Sequence, residues 1–297
     1  MRALVTGATG FIGSHLVRHL ERPVVLSRDP QRAAAALSNV EAYAWNPQAS
    51  PPEERVFQGV DAVFHLAGDP IAAGRWNDAR KKSMRESRVL GTRHLVETMA
   101  RRKDRPRVLV SASAVGYYGD RGEEILEETS KPGSDYLAEL CAEWEAEAAR
   151  AKEFGVRVVN PRIGIVLGKG GGALAKMLTP FRFGAGGRLG DGRQWMPWIH
   201  VDDLVGVMLH AASQEKLSGP ANAVAPVPVT NAEFTRELGA ALHRPAIFPV
   251  PAFMLRLLLG EMADLLLSSQ RAVPAELRKS GYAFRHPDLA SALRAIV

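Results

Sequence analysis

A glycine-rich turn set between a short apolar strand and a helix constrains this chain more than any other feature. Ala3-Leu4-Val5-Thr6 reads as a strand, and Gly7-Ala8-Thr9-Gly10-Phe11-Ile12-Gly13 leads from it into a helical pattern near Ile12–Leu20. That context is the one in which glycines build a dinucleotide phosphate site. Gly7 permits the tight turn, Gly10 lets a pyrophosphate reach the backbone, and Gly13 lets the helix pack closely on the strand. The helix start offers unpaired N–H groups and the positive end of its dipole, so Thr9, Phe11 and Ile12 belong to the same cradle. The spacing is G-x-x-G-x-x-G rather than the commoner G-x-G-x-x-G. A ligand-free glycine turn is the bland alternative, and the flanking strand and helix argue against it.

The pattern continues beyond the turn. Apolar runs at Val24–Ser27, Ala62–Leu66, Val108–Ser111 and Val156–Asn160 alternate with helical patterns near Gln31–Leu37, Trp76–Arg102 and Tyr136–Phe154. Alternating strands and helices imply an α/β fold, a doubly wound parallel sheet of Rossmann type with right-handed crossovers. The alternation breaks after residue 165, where glycine-rich loops flank an amphipathic helix. Expected boundaries are a dinucleotide-binding core at 1–165, with 198–213 returning to it, and a smaller C-terminal substrate lobe at 166–297 with a helical tail. No flexible linker separates them.

The end of the second strand discriminates between cofactors. An acidic side chain there grips a ribose 2′-hydroxyl, whereas an arginine accommodates a 2′-phosphate. This strand ends in Ser27-Arg28, followed by Asp29. Arg28 supplies a planar donor fork and Ser27 a hydroxyl, which favours NADP(H).

Composition removes other classes. The 297 residues carry 38 Lys+Arg against 32 Asp+Glu, net +6, with 46% hydrophobic and 24% charged residues, as in an ordinary globule. The basic run Arg101–Arg107 lies between a helix pattern and a strand without any nucleic-acid motif, so it reads as a solvated loop. Cys141 is the only cysteine, which excludes an internal disulfide and a Cys-based zinc site. No His and carboxylate spacing suggests a metal. The stretch Phe253–Leu267 carries Arg256, Glu261 and Asp264 and reads as an amphipathic helix rather than a bilayer span. With a strand pattern beginning at Ala3 and no signal-peptide pattern before it, a cytoplasmic setting is expected.

With these residues in hand, the chain resembles an extended short-chain dehydrogenase/reductase. Asp61–Gly68 looks like the family's fourth-strand motif, in which Leu66, Ala67 and Gly68 would flank the cofactor. Ser111-Ala112-Ser113 looks like its active-site serine segment, and Trp198–Asp203 like its late motif. Ser87-Arg88-Val89, Gly91-Thr92-Arg93, Ser113–Gly119 and Gly260–Ala263 bring it closer to a nucleotide-sugar-epimerase-like subgroup, the YfcH- and SDR39U-type epimerase family proteins. The resemblance spans essentially the whole chain. It implies NADP(H) and a small-molecule substrate, a nucleotide sugar or another carbonyl compound. It implies no nucleic-acid or membrane partner, and a monomer or homodimer.

The family works with Ser, Tyr and Lys, the tyrosine as acid/base and the lysine one helical turn on. Ser113 and Tyr136 match the first two positions, but Leu140 stands where the lysine belongs. Leucine can neither donate a hydrogen bond nor stabilise a tyrosinate. Tyr117 and Tyr118 are alternative pocket-lining groups. His65 reads as a satisfied core histidine, Asp202-Asp203 as a helix start and Cys141 as an apolar filler. Two functions remain open: an NADP(H)-dependent oxidoreductase or epimerase-like enzyme with an atypical site, and a non-catalytic NADP(H)-binding regulatory or scaffold protein.

Overall fold

The computed structural model describes residues 1–297. In chain order the first half holds β1 (Ala3–Thr6), α1 (Phe11–Val17), β2 (Val24–Ser27), α2 (Pro30–Ala36), β3 (Glu41–Ala44), β4 (Ala62–His65), α3 (Asp78–Arg85), α4 (Gly91–Arg101), β5 (Val108–Ser111), β6 (Ser113–Ala114), β7 (Ile125–Leu126) and α5 (Tyr136–Ala149). Then come β8 (Arg157–Ile163), β9 (Ile165–Leu167), α6 (Gly172–Arg182), β10 (Trp195–Met196), β11 (Trp198–His200), α7 (Val201–Ser213), β12 (Gly219–Ala223), β13 (Val229–Thr230) and α8 (Asn231–Ala241). The tail holds α9 (Ala252–Leu259), α10 (Asp264–Leu267), β14 (Arg271–Ala272), α11 (Ala275–Lys279) and α12 (Leu289–Ile296).

The main sheet runs β12-β8-β5-β4-β1-β2-β3, every neighbouring pair parallel. Its strands are apolar on both faces because helices cover both. Val5, Val25, Phe64, Val110 and Val159 meet α1 and α7 on one side, and Leu4, Val24, Val63, Leu109 and Val158 meet α4 and α5 on the other. The doubly wound α/β fold is therefore present as the alternation implied. The expected runs omitted β3 at the edge, where Glu41 and Tyr43 interrupt the apolar run, and the short β6 beside β8; the extended stretch from Pro220 proves to be β12, which returns to the sheet from beyond α7.

Pro161 lies inside β8 without breaking the sheet. The β5 pairing ends at Val159 and the β6 pairing begins at Arg162, so the missing N–H falls where one neighbour gives way to the next. The segment expected as one helix over Trp76–Arg102 is α3 and α4 joined by a π-helical turn at Glu86–Leu90. A separate core holds Leu174, Phe181, Trp198, Phe234, Leu238 and Leu293, which joins α6, α8 and α12. No helix is long and apolar enough to cross a membrane.

Candidate functional site

The glycine turn closes onto the end of β4. Gly7 has φ +68°, and a Cβ there would lie 2.7 Å from the Leu66 carbonyl carbon and 2.9 Å from Ala67 N. Only glycine allows both the left-handed backbone and this approach. A Cβ at Gly13 would stand 2.3 Å from Gly7 O, so α1 rests directly on the turn. Gly10 N donates to Gly7 O at 3.0 Å, and α1 starts at Phe11 with no side-chain cap. Its first-turn amides, including those of Phe11 and Ile12, are therefore free of a capping side chain. Thr9 is exposed at the lip.

Phe11 has a further role that the motif does not reveal. A Cβ at Gly171 would lie 2.3 Å from its ring, and those at Gly168 and Gly172 within 3.0 Å. The second glycine-rich run thus wraps the first, because side chains there would have no room beside the ring.

At the end of β2 the three polar residues divide their work. Asp29 accepts from Arg32 N at 2.9 Å and caps α2, so its carboxylate serves the helix. The Ser27 hydroxyl donates to Asp29 O at 3.0 Å and accepts from Asp29 N at 3.2 Å. Arg28 borders a concavity of about 330 Å³ with Trp45, Asn46, Ser50 and Glu53.

Behind the loop lies a fully satisfied buried chain. Leu66 N and Ala67 N both donate to Thr6 Oγ1 at 3.1 Å, and Thr6 Oγ1 lies 2.7 Å from His65 Nδ1. His65 Nε2 lies 3.0 Å from Thr92 Oγ1, which donates to Arg88 O at 2.6 Å. With its proton so spent, Thr92 accepts from His65 Nε2–H, and Thr6 donates to Nδ1. Burial, with a smaller contribution from Arg88, holds His65 down to about 3, so it is a neutral core histidine.

That shift sets a pH dependence. The unfolded chain protonates this histidine below about 6.5 and the folded chain only near 3, so protons favour unfolding between the two. Lowering the pH to about 5 is expected to remove ~2 kcal/mol of stability through this group. A His65→Gln variant stays neutral and should lose that part of the slope. Equal pH slopes for both proteins in urea titrations would refute the assignment.

Tyr136 opens α5 under the Asp135 cap. Its hydroxyl donates to Lys81 O at 2.7 Å, and its ring meets Trp76 edge-on at 5.8 Å with the Lys81 ammonium 5.2 Å from its centre. Burial raises its pKa, while Arg88 and then Arg85 pull it back. Leu140 is buried against Met84 and Val89, so no cation enters from the lysine position.

Ser113, on β6, meets α5 at a different turn. Its hydroxyl donates to Glu145 Oε1 at 2.6 Å, and no hydrogen bond joins it to Tyr136. Glu145 is held by two bonds of 2.9 Å from Arg162, whose Nη1 donates to Tyr118 Oη at 3.0 Å and whose guanidinium lies 3.4 Å over the Tyr117 ring. Sequence reasoning missed Arg162 and Glu145. They lie 17 residues apart on a strand and a helix, and only the packing joins them. Cys141 is buried, its thiol pushed up to about 12 chiefly by desolvation.

The late motif does not cap its helix with aspartate as expected. The His200 ring accepts from Asp202 N at 3.1 Å, while buried Asp203 takes Arg285 N at 2.7 Å and His286 N at 2.8 Å. Asp203 thereby pins the C-terminal segment to α7. His200, Asp202 and His286 bring their donor atoms within 4.8 Å of one another, a grouping that chain spacing conceals.

Fold and glycine turn together define a doubly wound α/β protein with a dinucleotide-type phosphate loop. The chain belongs to the NAD dependent epimerase/dehydratase family, whose model matches residues 3–224. Residues 250–296 match a domain of unknown function. The chain is 42% identical to the chloroplastic homologue of epimerase family protein SDR39U1 from Arabidopsis thaliana, over 100% of its own length and 87% of that protein's. To epimerase family protein YfhF of Bacillus subtilis it is 36% identical, covering 100% and 98%. The crystal structure of human epimerase family protein SDR39U1 (isoform 2) with NADPH superposes with TM-score 0.90 at 35% identity, covering 100% and 99%. UDP-glucose 4-epimerase from Thermotoga maritima, at TM-score 0.81 and 20% identity, shares the fold.

Proposed function

We propose that the chain is an NADP(H)-dependent oxidoreductase or epimerase-like enzyme whose proton donor to a substrate oxygen is Tyr136. The observation carrying the cofactor choice is the division of labour after β2: Asp29 caps α2 through Oδ1, whereas Arg28 borders an open concavity. A 2′-phosphate suits that guanidinium, whereas Asp29, with Oδ1 directed to the α2 amide, is the weaker candidate for a 2′-hydroxyl. Gly7, Thr9, Gly10, Phe11, Ile12 and Gly13 would hold the pyrophosphate, with Leu66, Ala67 and Gly68 along its flank. Bound NADPH would supply the hydride.

Ser113 spends its proton on Glu145, so toward a substrate it can only accept. Tyr136 gives its proton to a backbone carbonyl, a neutral acceptor from which a substrate oxygen can take over. Tyr136 is therefore the stronger acid candidate, and Ser113 reaches a substrate carbonyl only on leaving Glu145. Residues 166–297, apart from 198–213, which return to the dinucleotide-binding core as α7 does here ahead of β12, would form the substrate lobe around a nucleotide sugar or another carbonyl compound. The human relative's NADPH and the full-length match support this reading. We place it in the cytoplasm. The apolar Leu140 favours a second reading, a protein that binds NADP(H) without efficient catalysis.

Calorimetric titration tests the cofactor assignment. NADPH is expected to bind at least tenfold more tightly than NADH, about 1.4 kcal/mol. Arg28→Asp should erase or reverse the preference, and equal wild-type affinities would overturn it. A carbonyl screen following NADPH absorbance, with Tyr136→Phe as control, separates the two readings. Turnover lost on that substitution supports the enzyme. Turnover unchanged by it removes Tyr136 as the acid.

A further inference from the structure

The π turn at Glu86–Leu90 carries a charge that the proposed mechanism has not used. Arg88 is only 8% exposed, yet no carboxylate pairs with its guanidinium. Its one hydrogen bond runs from Nη1 to Met84 O at 3.2 Å, and its remaining companion is the Trp144 ring, 5.2 Å from Cζ. A carbonyl and an aromatic face return less than the desolvation of a buried cation costs. The nearest acid, Asp69, accepts from the Ser83 hydroxyl. A buried, unpaired guanidinium calls for a partner that the folded chain does not contain.

Its position says where that partner binds. A Cβ built at Gly68 would lie 2.9 Å from Arg88 Cζ and 3.1–3.2 Å from both Nη atoms, so the guanidinium lies flat against the Gly68 backbone. Gly68 follows Leu66-Ala67, onto which Gly7 of the phosphate loop closes. The Arg88 carbonyl is tied to the same loop through Thr92, His65 and Thr6. Val89 and Met84, on either side of Arg88, are the residues that bury Leu140. A π turn, with its unusual pitch, is a recurrent device for aiming a side chain at a functional site.

We propose that Arg88 supplies, from the α3–α4 junction, the cation that Leu140 withholds from α5, holding the ribose-phosphate on the nicotinamide side of the dinucleotide and favouring deprotonation of Tyr136. This rests on the NADP(H) reading above. Arg88 is a binding and positioning residue, and the proton donor remains Tyr136. The charged groups around Tyr136 are Arg88, Arg85 and Lys81, the last paired with Glu261, against Glu143; those around Arg88 are Asp69 and Arg80, beside the neutral Cys141 thiol and Tyr136.

The test compares NADPH with 2′,5′-ADP, which keeps the adenosine phosphates and lacks the nicotinamide and its ribose. In Arg88→Met, NADPH affinity is expected to fall at least tenfold with 2′,5′-ADP affinity unchanged, and Arg88→Lys should recover most of the loss. In the ligand-free protein, the Tyr136 resonance in ¹³C-tyrosine spectra, assigned with Tyr136→Phe, should titrate at higher pH in Arg88→Met than in wild type. Circular dichroism checks folding, and Arg88→Gln replaces the Met variant if that one fails to fold. Equal losses for both ligands, or none for either, would overturn the role of Arg88 while leaving the cofactor reading intact. Wild type binding neither ligand would instead overturn the cofactor reading, and this proposal with it.

Discussion

Arg162→Met is expected to lower unfolding free energy by about 3–5 kcal/mol, because it strands a carboxylate among buried groups. The Arg162 side chain is 3% exposed and that of Glu145 14%. Glu145 receives both of its charged hydrogen bonds from this arginine and keeps only the Ser113 hydroxyl once it is gone. Tyr118 and the Glu128 carbonyl lose a donor as well. Most of the cost is the desolvated, unpaired charge rather than the bond itself, so Arg162→Met with Glu145→Leu should recover much of the loss. Urea denaturation of the two single variants and the double variant measures this. A single-variant loss below about 1 kcal/mol would show that the pair is screened as surface pairs are.

The second large effect separates binding from folding within one loop. Gly13→Val places a Cβ 2.3 Å from Gly7 O and 2.7 Å from Ala8 Cα, both backbone atoms inside the contact between α1 and the turn. Relief requires α1 to move away, which is expected to cost about 3 kcal/mol or more and to take dinucleotide binding with it. Gly10→Val meets only Gly7 O, at 3.2 Å, and its side chain otherwise enters the space reserved for a pyrophosphate. Its melting temperature should stay within a few degrees of wild type while NADPH affinity falls at least a hundredfold, about 2.7 kcal/mol. A folded Gly10→Val protein with undiminished NADPH affinity would remove the phosphate site from this loop.

Legibility followed the range of the interactions. Four-residue apolar runs at β1, β2 and β5 could be read from the sequence with their ends, since a strand buried on both faces needs side chains of that type throughout. β3 could not, because an edge strand tolerates Glu41 and half-exposed alanines. The helix over Trp76–Arg102 was legible as helix, but its π turn was not, since a single extra residue only shifts the apolar face by about 100° and a short pattern on either side still reads as helix. Asp29 after Arg28 was ambiguous in the sequence, and the 2.9 Å bond from Arg32 N shows that its Oδ1 caps α2.

By itself the sequence determined the α/β class, the order of the central elements and the glycine turn, all of which rest on residues within about a dozen positions of one another. Tertiary structure alone decided the partners of the polar groups. It placed Ser113 on Glu145 and Arg162, Tyr136 on Lys81 O, His65 between two threonines, and Arg88 unpaired beside Gly68. Local patterning answers to backbone geometry and apolar burial, which short stretches encode. A buried hydrogen bond or charge is settled by whichever donor or acceptor the folded chain brings within 3 Å, and that depends on the packing of the whole molecule.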